Sequence, residues 1–236
     1  MTKRILKNYG ILAAMLLVFA AIATSCNDDD DDSGIKLGDT YLDLVTMQST
    51  SSEGTVFVFR KDNDSPEITL TTKQTFSSGA PSPGERMAIS YIPESGKRYE
   101  SGPVRIVSIA KAYGPGYQTA IEPSDEKSDP LSVLAVWRTE QFLNIQASAQ
   151  FVSSPSQFRL VLDSETADSE YPEFYLVFRK DFSEATVRYT VFGSYDISGI
   201  WNRPGCRGIT VHYTDVTGNI ETTIRKDAAI GPVPSE

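Results

Sequence analysis

Three side chains of this sequence belong to types that often perform covalent or acid–base chemistry: Cys26, Cys206 and the single histidine, His212. A cysteine thiolate can act as a nucleophile or become the attachment point of a lipid, and an imidazole can act as a general base near neutral pH. The sequence around each residue indicates which of these roles is chemically reasonable.

Cys26 follows a segment that is typical of a secretory signal. Three basic residues lie within the first seven positions, and residues 11–23 form an uninterrupted apolar run that is too short to span a bilayer comfortably. The small residues Thr24 and Ser25 allow an extended conformation in a signal peptidase, and Cys26 directly after them supplies a thiol for lipid attachment. We therefore expect residues 1–25 to be a lipoprotein signal peptide and Cys26 to be the lipidated N-terminus of the mature protein.

Five consecutive aspartates follow the predicted lipidation site: Asp28, Asp29, Asp30, Asp31 and Asp32. Adjacent carboxylates repel one another and are costly to bury, so residues 26–36 are predicted to form a solvated acidic tether. An acidic run after a lipidated cysteine also resembles the export signal of Bacteroidetes lipoproteins displayed on the outer face of the outer membrane. This resemblance implies a lipid-anchored, surface-exposed outer-membrane protein, with a periplasm-facing anchor as the alternative. A calcium loop is not expected, because Thr40 stands where an EF-hand needs a bidentate glutamate.

The composition limits the partners that this protein is expected to bind. The formal net charge is −9. The predicted signal contains basic residues and no acidic ones, so its removal makes the net charge of the mature protein more negative. Such a charge disfavours contact with a phosphate backbone, and nucleic acid is not an expected partner. If Cys26 carries a lipid that inserts into the membrane, Cys206 has no cysteine partner, and packing alone must stabilise the fold.

The remaining candidates for catalysis lack the partners that catalysis requires. Strand alternation around His212 predicts an outward-facing polar side chain, and no G-x-S-x-G motif accompanies it. Cys206 lies between Arg203 and Arg207, which could lower the pKa of its thiol, but no adjacent histidine offers a general base, so a buried or tolerated turn cysteine is expected. One histidine and one free cysteine fall short of a zinc site, and we expect no metal and no cofactor.

These residues must be positioned by β-strands, because alternation of apolar and polar residues recurs from Tyr41 onwards. Each predicted strand is bounded by clusters of Gly, Pro, Ser, Asn or Asp. In the first half, the predicted strands are residues 41–47, 55–60, 67–71, 86–92 and 104–112. In the second half, they are residues 132–138, 142–151, 157–163, 173–179, 186–192, 195–201, 209–214 and 219–225.

The predicted fold class is all-β, and the strand counts favour a small five-stranded Greek-key barrel followed by a β-sandwich. The best domain boundary lies at residues 123–130, where two prolines and the absence of large apolar residues favour an extended linker. We expect a barrel domain over residues 37–122, a sandwich domain over residues 131–226 and a disordered tail over residues 227–236.

Several segments together resemble the NigD-like lipoproteins of Bacteroidetes: Cys26 with its aspartate run, then residues 37–39, 137–138, 142–146, 174–179, 191–198 and 209–213. The resemblance covers nearly all of the mature chain and implies an N-terminal OB-like five-stranded barrel followed by a C-terminal β-sandwich. It implies no catalytic residues, and the family name refers to a bacteriocin-associated gene neighbourhood. The chain lacks the histidines expected near Gln157 and after the strand that begins at Phe174, so any role of those histidines is absent here.

The expected function is that of a non-enzymatic, lipid-anchored cell-envelope protein that presents two β-domains to an unknown protein or glycan partner. OB-like barrels bind oligonucleotides or oligosaccharides, aromatic side chains stack on either, and the acidic charge favours sugars. The possible ligand-binding aromatics are Tyr113, Tyr117, Trp137 and Trp201. Tyr117 and Trp201 are expected to be the most exposed of these four, because predicted loops flank them.

Three alternatives remain open from the sequence. The protein could be a bacteriocin-associated or immunity-type protein, or a glycan-binding accessory of an outer-membrane uptake system. A hydrolase that uses the carboxylates of Asp163, Glu165 or Glu173 is the least favoured, because pairs of acidic residues are common in an acidic chain.

Overall fold

The structure is a computed structural model that describes residues 40–76, 82–150, 157–180 and 187–226. The predicted signal peptide, Cys26, the acidic tether and the predicted tail lie outside the described residues. Regular structure in the described ranges is almost entirely β, as predicted. No helix in these ranges has both the length and the apolar character that crossing a membrane requires.

Five strands of the first half close into a barrel. They are β1 (Tyr41–Ser51), β2 (Gly54–Phe59), β3 (Ile68–Thr72), β4 (Arg86–Pro93) and β5 (Gly102–Lys111). Neighbouring strands follow the order β1-β2-β3-β5-β4, and β4 pairs with β1 to close the barrel. Alternate side chains point inward and form an apolar core that includes Val45, Phe57, Leu70, Ile89 and Tyr91. This arrangement confirms the predicted five-stranded barrel.

The second half forms two sheets that pack face to face. Their strands are β6 (Gln118–Ala120), β7 (Ser132–Thr139), β8 (Phe142–Gln150), β9 (Gln157–Asp163), β10 (Glu173–Arg179), β11 (Arg188–Asp196), β12 (Gly208–Asp215) and β13 (Gly218–Arg225). One sheet has the order β13-β12-β10-β9-β6, and the other has the order β11-β8-β7. A single apolar core contains residues of both sheets, including Ile145 of β8, Leu160 of β9 and Val211 of β12. Two sheets with one shared core form the predicted β-sandwich.

Strand β11 and the segment after it differ from the prediction. The sequence predicts two strands, at residues 186–192 and 195–201, whereas the structure has one continuous strand followed by the short helix α1 (Ser198–Trp201). Gly193 lies between the two predicted strands, where an isolated glycine suggests the end of a strand. Its role is packing, because a Cβ atom at this position would lie 2.6 Å from the ring of Tyr195. The glycine therefore permits a close contact within a strand and does not end it.

The predicted linker, residues 123–130, packs against β10. It begins with a 3-10 turn at Pro123–Asp125, and further on the N–H of Asp129 donates to the carbonyl oxygen of Phe178 at 2.8 Å. Strand β6 precedes this segment and lies within residues 37–122, the range predicted for the barrel domain. It pairs with β9, so strand pairing places β6 in the sandwich. A three-residue strand is too short for alternation to reveal it in the sequence.

The barrel and the sandwich meet at a buried polar cluster around Arg86 of β4. Its Nε donates to Ser194 Oγ at 3.0 Å, its Nη1 donates to Thr46 Oγ1 at 3.1 Å, and its guanidinium carbon lies 4.4 Å from the ring centre of Phe142. Ser194 Oγ also donates to Asn144 Oδ1 at 2.8 Å. Burial lowers the pKa of Arg86 to about 10. Because Ser194, Phe142 and Asn144 belong to the sandwich, this cluster joins the two halves.

Candidate functional site

The outer face of the five-stranded sheet carries a group of polar and aromatic side chains drawn from β10, β12 and β13. Parallel pairing of β10 with β12 sets Tyr175 opposite His212. Side chains alternate along each strand, so Phe174 and Val211 are buried in the core while Tyr175 and His212 point outward. The outward orientation that strand alternation predicts for His212 is therefore confirmed.

Tyr175, His212 and two glutamates form one connected cluster, which we call the Tyr175–His212 stack. The two rings lie 4.5 Å apart between centres, with an angle of 16° between their planes. Glu173 Oε2 accepts a hydrogen bond from the Tyr175 hydroxyl at 3.1 Å, and it lies 3.1 Å from His212 Nε2 without hydrogen-bond alignment. Glu221 Oε2 lies 4.0 Å from His212 Nδ1. The imidazole is thus held between two carboxylates and against one aromatic face.

The surroundings of Tyr175 raise the pKa of its phenol further above neutral pH. Burial raises the pKa of Tyr175 to about 12, and the hydrogen bond to Glu173 and its negative charge act in the same direction. At neutral pH this phenol is a hydrogen-bond donor and an aromatic surface, and it is not an ionised nucleophile.

A pocket of about 90 Å³ opens beside the stack. Its wall on one side is the predicted linker, which contributes Pro123, Ser124, Glu126 and Ser128, and its other side chains come from β10, β12 and β13. Most lining side chains carry hydroxyl, amide, imidazole or carboxylate groups; the full lining is Pro123, Ser124, Glu126, Ser128, Tyr175, Leu176, Val177, His212, Tyr213, Thr214 and Asn219. The pocket therefore combines polar groups with a similar share of apolar surface, and it has an aromatic stack on one side.

Hydrogen bonds fix the polar groups of this pocket. Thr214 Oγ1 donates to Asn219 Oδ1 at 3.1 Å, which orients the Asn219 amide and leaves its NH₂ group able to donate to a ligand. The N–H of Phe178 donates to Ser128 Oγ at 3.1 Å, and Arg159 pairs with Glu126. These contacts hold the linker wall and the sheet wall in a defined relative position.

The three acids that the sequence suggested lie where β9 ends and β10 begins, and the antiparallel register in which Phe174 faces Leu162 places Asp163 beside Glu173. Asp163 is the last residue of β9 and Glu165 lies in the turn after it, where Asp163 Oδ1 accepts the N–H of Glu165 at 2.9 Å. Glu173 is bound to Tyr175 in the stack. No group of three or more His, Cys, Asp or Glu side chains within the described ranges could hold a metal ion.

The four aromatics suggested by the sequence do not form a shared exposed platform. Tyr113 packs against Phe158, with ring centres 5.1 Å apart, and Tyr117 meets Phe174 edge to face at 5.3 Å. Both tyrosines are half-buried against the sandwich core. Trp137 is half-buried on β7, where it pairs with a residue of β8.

Trp201 is buried, and the expectation that it is exposed is wrong. Only 8% of its surface is accessible, because α1 turns its ring into the sandwich core. The guanidinium carbon of Arg138 lies 4.3 Å from the Trp201 ring centre, and Lys226 Nζ lies 5.4 Å from it. The predicted strand would have allowed exposure, whereas the helix places the indole between the core and two cations.

Cys206 is buried, and its thiol donates to the carbonyl oxygen of Gly208 at 3.2 Å. This environment agrees with a structural turn cysteine and gives the thiol no general base.

The Tyr175–His212 stack could not be found from the sequence, although His212 and Glu173 were each considered there. The sequence shows that Glu173 and Tyr175 are two residues apart on one strand, but this spacing indicates only that both side chains lie on the same face of the sheet. Their proximity to His212 depends on the parallel register of β10 with β12, which no local pattern specifies.

No protein-family model and no curated protein matches this chain. Solved structures do match over most of its length. A protein of unknown function from Bacteroides vulgatus is 16% identical, with a TM-score of 0.59, and the match covers 84% of this chain and 95% of that one. A NigD-like immunity protein from Bacteroides caccae is 18% identical, with a TM-score of 0.56 and coverage of 79% and 97%. A protein described as a lipoprotein from Bacteroides fragilis is 13% identical, with a TM-score of 0.52 and coverage of 81% and 99%.

The fold places this chain in a class of all-β proteins that join a closed five-stranded barrel to further β-sheets. Within that class, its structural neighbours include a NigD-like protein, in agreement with the resemblance drawn from the sequence. At these identities the likeness concerns the fold. The neighbours are described as a protein of unknown function, an immunity protein and a lipoprotein, and none of these three is described as an enzyme.

Proposed function

We propose that this protein is a non-enzymatic, lipid-anchored envelope protein that recognises a neutral glycan in the pocket beside the Tyr175–His212 stack. The observation that carries the proposal is the pocket itself, in which oriented polar groups surround an aromatic stack. Ligand sites combine a few well-placed polar groups with aromatic surface in a concave setting, and this pocket has both.

The chemistry of the lining favours a sugar over other ligands of similar size. A sugar presents many hydroxyl groups, and the Asn219 amide, the Ser124 hydroxyl and the Glu126 carboxylate offer donors and acceptors for them. Tyr175 and His212 supply aromatic surface for the apolar side of a sugar ring. The acidic chain and the glutamates near the stack disfavour an anionic glycan.

Display on the cell surface is the second part of the proposal. The predicted lipid on Cys26 and the acidic run after it support an anchor in the outer membrane, with the described domains carried outward on a tether. One fold neighbour described as a lipoprotein supports the anchor. Protease treatment of intact cells should remove the protein. Survival of the protein under conditions that digest a known surface marker would contradict surface display.

Glycan binding can be tested by screening the protein against neutral oligosaccharides and polysaccharides, followed by calorimetry on any ligand found. Tyr175→Ala and Asn219→Ala should each weaken binding by about tenfold or more, because each removes a group of the pocket. Gln157→Ala is the matched control, since Gln157 is exposed on the same sheet and does not line the pocket. An empty screen, or equal losses for the control, would argue against this site and favour a protein partner.

Two other functions can be separated from this one by genetics. The fold neighbour named as a NigD-like immunity protein motivates an immunity-type role, which predicts that deletion of the gene sensitises cells to a bacteriocin. An accessory role in glycan uptake predicts a neighbouring transporter gene and a growth defect on one polysaccharide. A deletion strain with unchanged bacteriocin sensitivity and a glycan-specific growth defect would favour the uptake role.

A further inference from the structure

Strand β13 forms one edge of the five-stranded sheet. Its inner side pairs with β12 over an unbroken register from Gly218 to Arg225, without a bulge. No other strand among the described residues pairs with its outer side. Natural edge strands are protected by short length, bulges, proline or charged side chains, because an open edge can pair with another chain. β13 has eight residues, no bulge and no proline, and its two charged side chains, Glu221 and Arg225, are of opposite sign.

The register shows which backbone groups of β13 face outward. The β12–β13 connection is a two-residue hairpin closed by Asp215 and Gly218, and alternate pairs from the closing pair onward are hydrogen-bonded. The N–H of Lys226 donates to the carbonyl oxygen of Arg207 at 2.9 Å, which confirms the same alternation of hydrogen-bonded pairs at the C-terminal end of β13. The outward-facing N–H and C=O groups therefore belong to Asn219, Glu221, Thr223 and Arg225. Within the described ranges no hydrogen bond uses them.

The side chains of these four residues are exposed, and their charges are self-complementary. If a second copy of β13 runs antiparallel with Thr223 opposite Thr223, Glu221 of each copy stands opposite Arg225 of the other. All of these positions have outward-facing backbone groups, so the same register also forms about six backbone hydrogen bonds. A register centred on Thr222 would place Glu221 opposite Thr223 and would lose both charge pairs. Pairing of opposite charges across strands favours the first register.

We propose that β13 binds a second copy of this chain, antiparallel and centred on Thr223, so that two sandwiches share one continuous sheet. The contact is a strand edge and is small for a stable complex in solution, so weak self-association is expected there. On a membrane, the predicted anchor confines both copies to the surface and raises their effective concentration. The inference does not depend on the pocket or on glycan binding.

Charge reversal tests the proposed register. The mature chain, residues 26–236 with Cys26→Ser, is measured by sedimentation over a concentration series. Glu221→Arg and Arg225→Glu should each weaken self-association by about tenfold or more, because each places like charges opposite one another. The double variant should restore self-association to near the wild-type value. Failure of the double variant to restore it would overturn the proposed register, and pairing with a different protein would show no such reciprocity.

Backbone pairing is tested separately. Thr223→Pro removes an outward N–H that makes no hydrogen bond within the described chain, so it should abolish self-association while the melting temperature stays close to that of the control. The matched control is Thr223→Val, which keeps the N–H. A folded Thr223→Pro variant that still self-associates as the control does would contradict pairing through this edge.

The same contact can be probed with the full lipidated chain on cells. Thr223→Cys should be cross-linked to a dimer by a short bismaleimide, because the two copies of residue 223 face each other. Thr119→Cys, at the opposite edge of the sheet, is the control, and the native Cys206 is buried from the reagent. Absence of a dimer, or equal cross-linking at both positions, would overturn the proposal.

Discussion

Replacement of Arg86 tests whether the barrel and the sandwich are held together by the buried polar cluster between them. Arg86 is 7% exposed and donates hydrogen bonds to Ser194 at 3.0 Å and to Thr46 at 3.1 Å, with a longer one to Asn144 at 3.5 Å. Hydrogen bonds to charged groups contribute about 1.5–3 kcal/mol each, so the pair contributes roughly 3–6 kcal/mol. The contact of the guanidinium with the Phe142 ring adds about 1–2 kcal/mol.

Desolvation opposes these contributions. Burial lowers the pKa of Arg86 to about 10, and this decrease corresponds to about 3 kcal/mol against the charged form. The net stabilisation is then roughly 1–5 kcal/mol. Arg86→Met keeps most of the volume and leaves Ser194 bonded to Asn144, while the Thr46 hydroxyl loses its Arg86 donor. We expect this variant to lower the free energy of unfolding by about 2 kcal/mol.

Arg86→Lys keeps the positive charge but removes the planar guanidinium, so it separates the effect of the charge from that of the contact geometry. An ammonium retains the desolvation cost but cannot make the same set of planar contacts, so we expect a loss at least as large as for Arg86→Met. The assay is urea denaturation followed by tryptophan fluorescence. A double-mutant cycle of Arg86→Met with Ser194→Ala should show a coupling of about 1 kcal/mol, whereas a cycle with Thr223→Ala should be additive. Wild-type stability in Arg86→Lys, or no coupling to Ser194, would refute this account of the junction.

Three further results are expected. Gly193→Ala should lower the free energy of unfolding in urea by about 1–3 kcal/mol, because its Cβ would lie 2.6 Å from a buried ring, while Gly205→Ala, with nothing within 4 Å, should change it little. The pKa of Tyr175 is about 12 in the folded protein and 10.0 in the unfolded chain. The stabilisation from the protonated phenol is therefore fully present below pH 10 and is lost as the pH rises through 12. Glu173→Gln should lower this pKa in a tyrosine NMR titration. Cys206 should react with a thiol reagent only in denaturant, and rapid labelling of the native protein would contradict its buried position.

The barrel could be predicted from the sequence because its strands are bounded by turn residues and alternate regularly. The predicted range 86–92 corresponds to the observed β4, Arg86–Pro93, within one residue. Prediction was wrong where a single residue serves packing. Gly193 permits contact with a neighbouring ring inside β11, but an isolated glycine between two apolar runs has the same appearance as a turn.

The burial of Trp201 follows from that same segment. Two strands at residues 186–192 and 195–201 would leave the indole at the end of a strand, next to a loop. The observed order, strand and then helix α1, turns the indole into the core. An error in one local element therefore changed the expected exposure of a candidate ligand-binding residue, because exposure depends on the direction in which the backbone leaves the strand.

The predicted linker shows why the candidate site could not be read from local patterns. Residues 123–130 are polar and contain two prolines, which are features typical of a segment between domains. The structure folds this segment against β10, where Ser124, Glu126 and Ser128 form one wall of the pocket. A wall that must hydrogen-bond a polar ligand needs the same composition as a solvated linker. Composition alone cannot distinguish these two roles, since the difference lies in the contacts that the segment makes with a strand about 50 residues further along the chain.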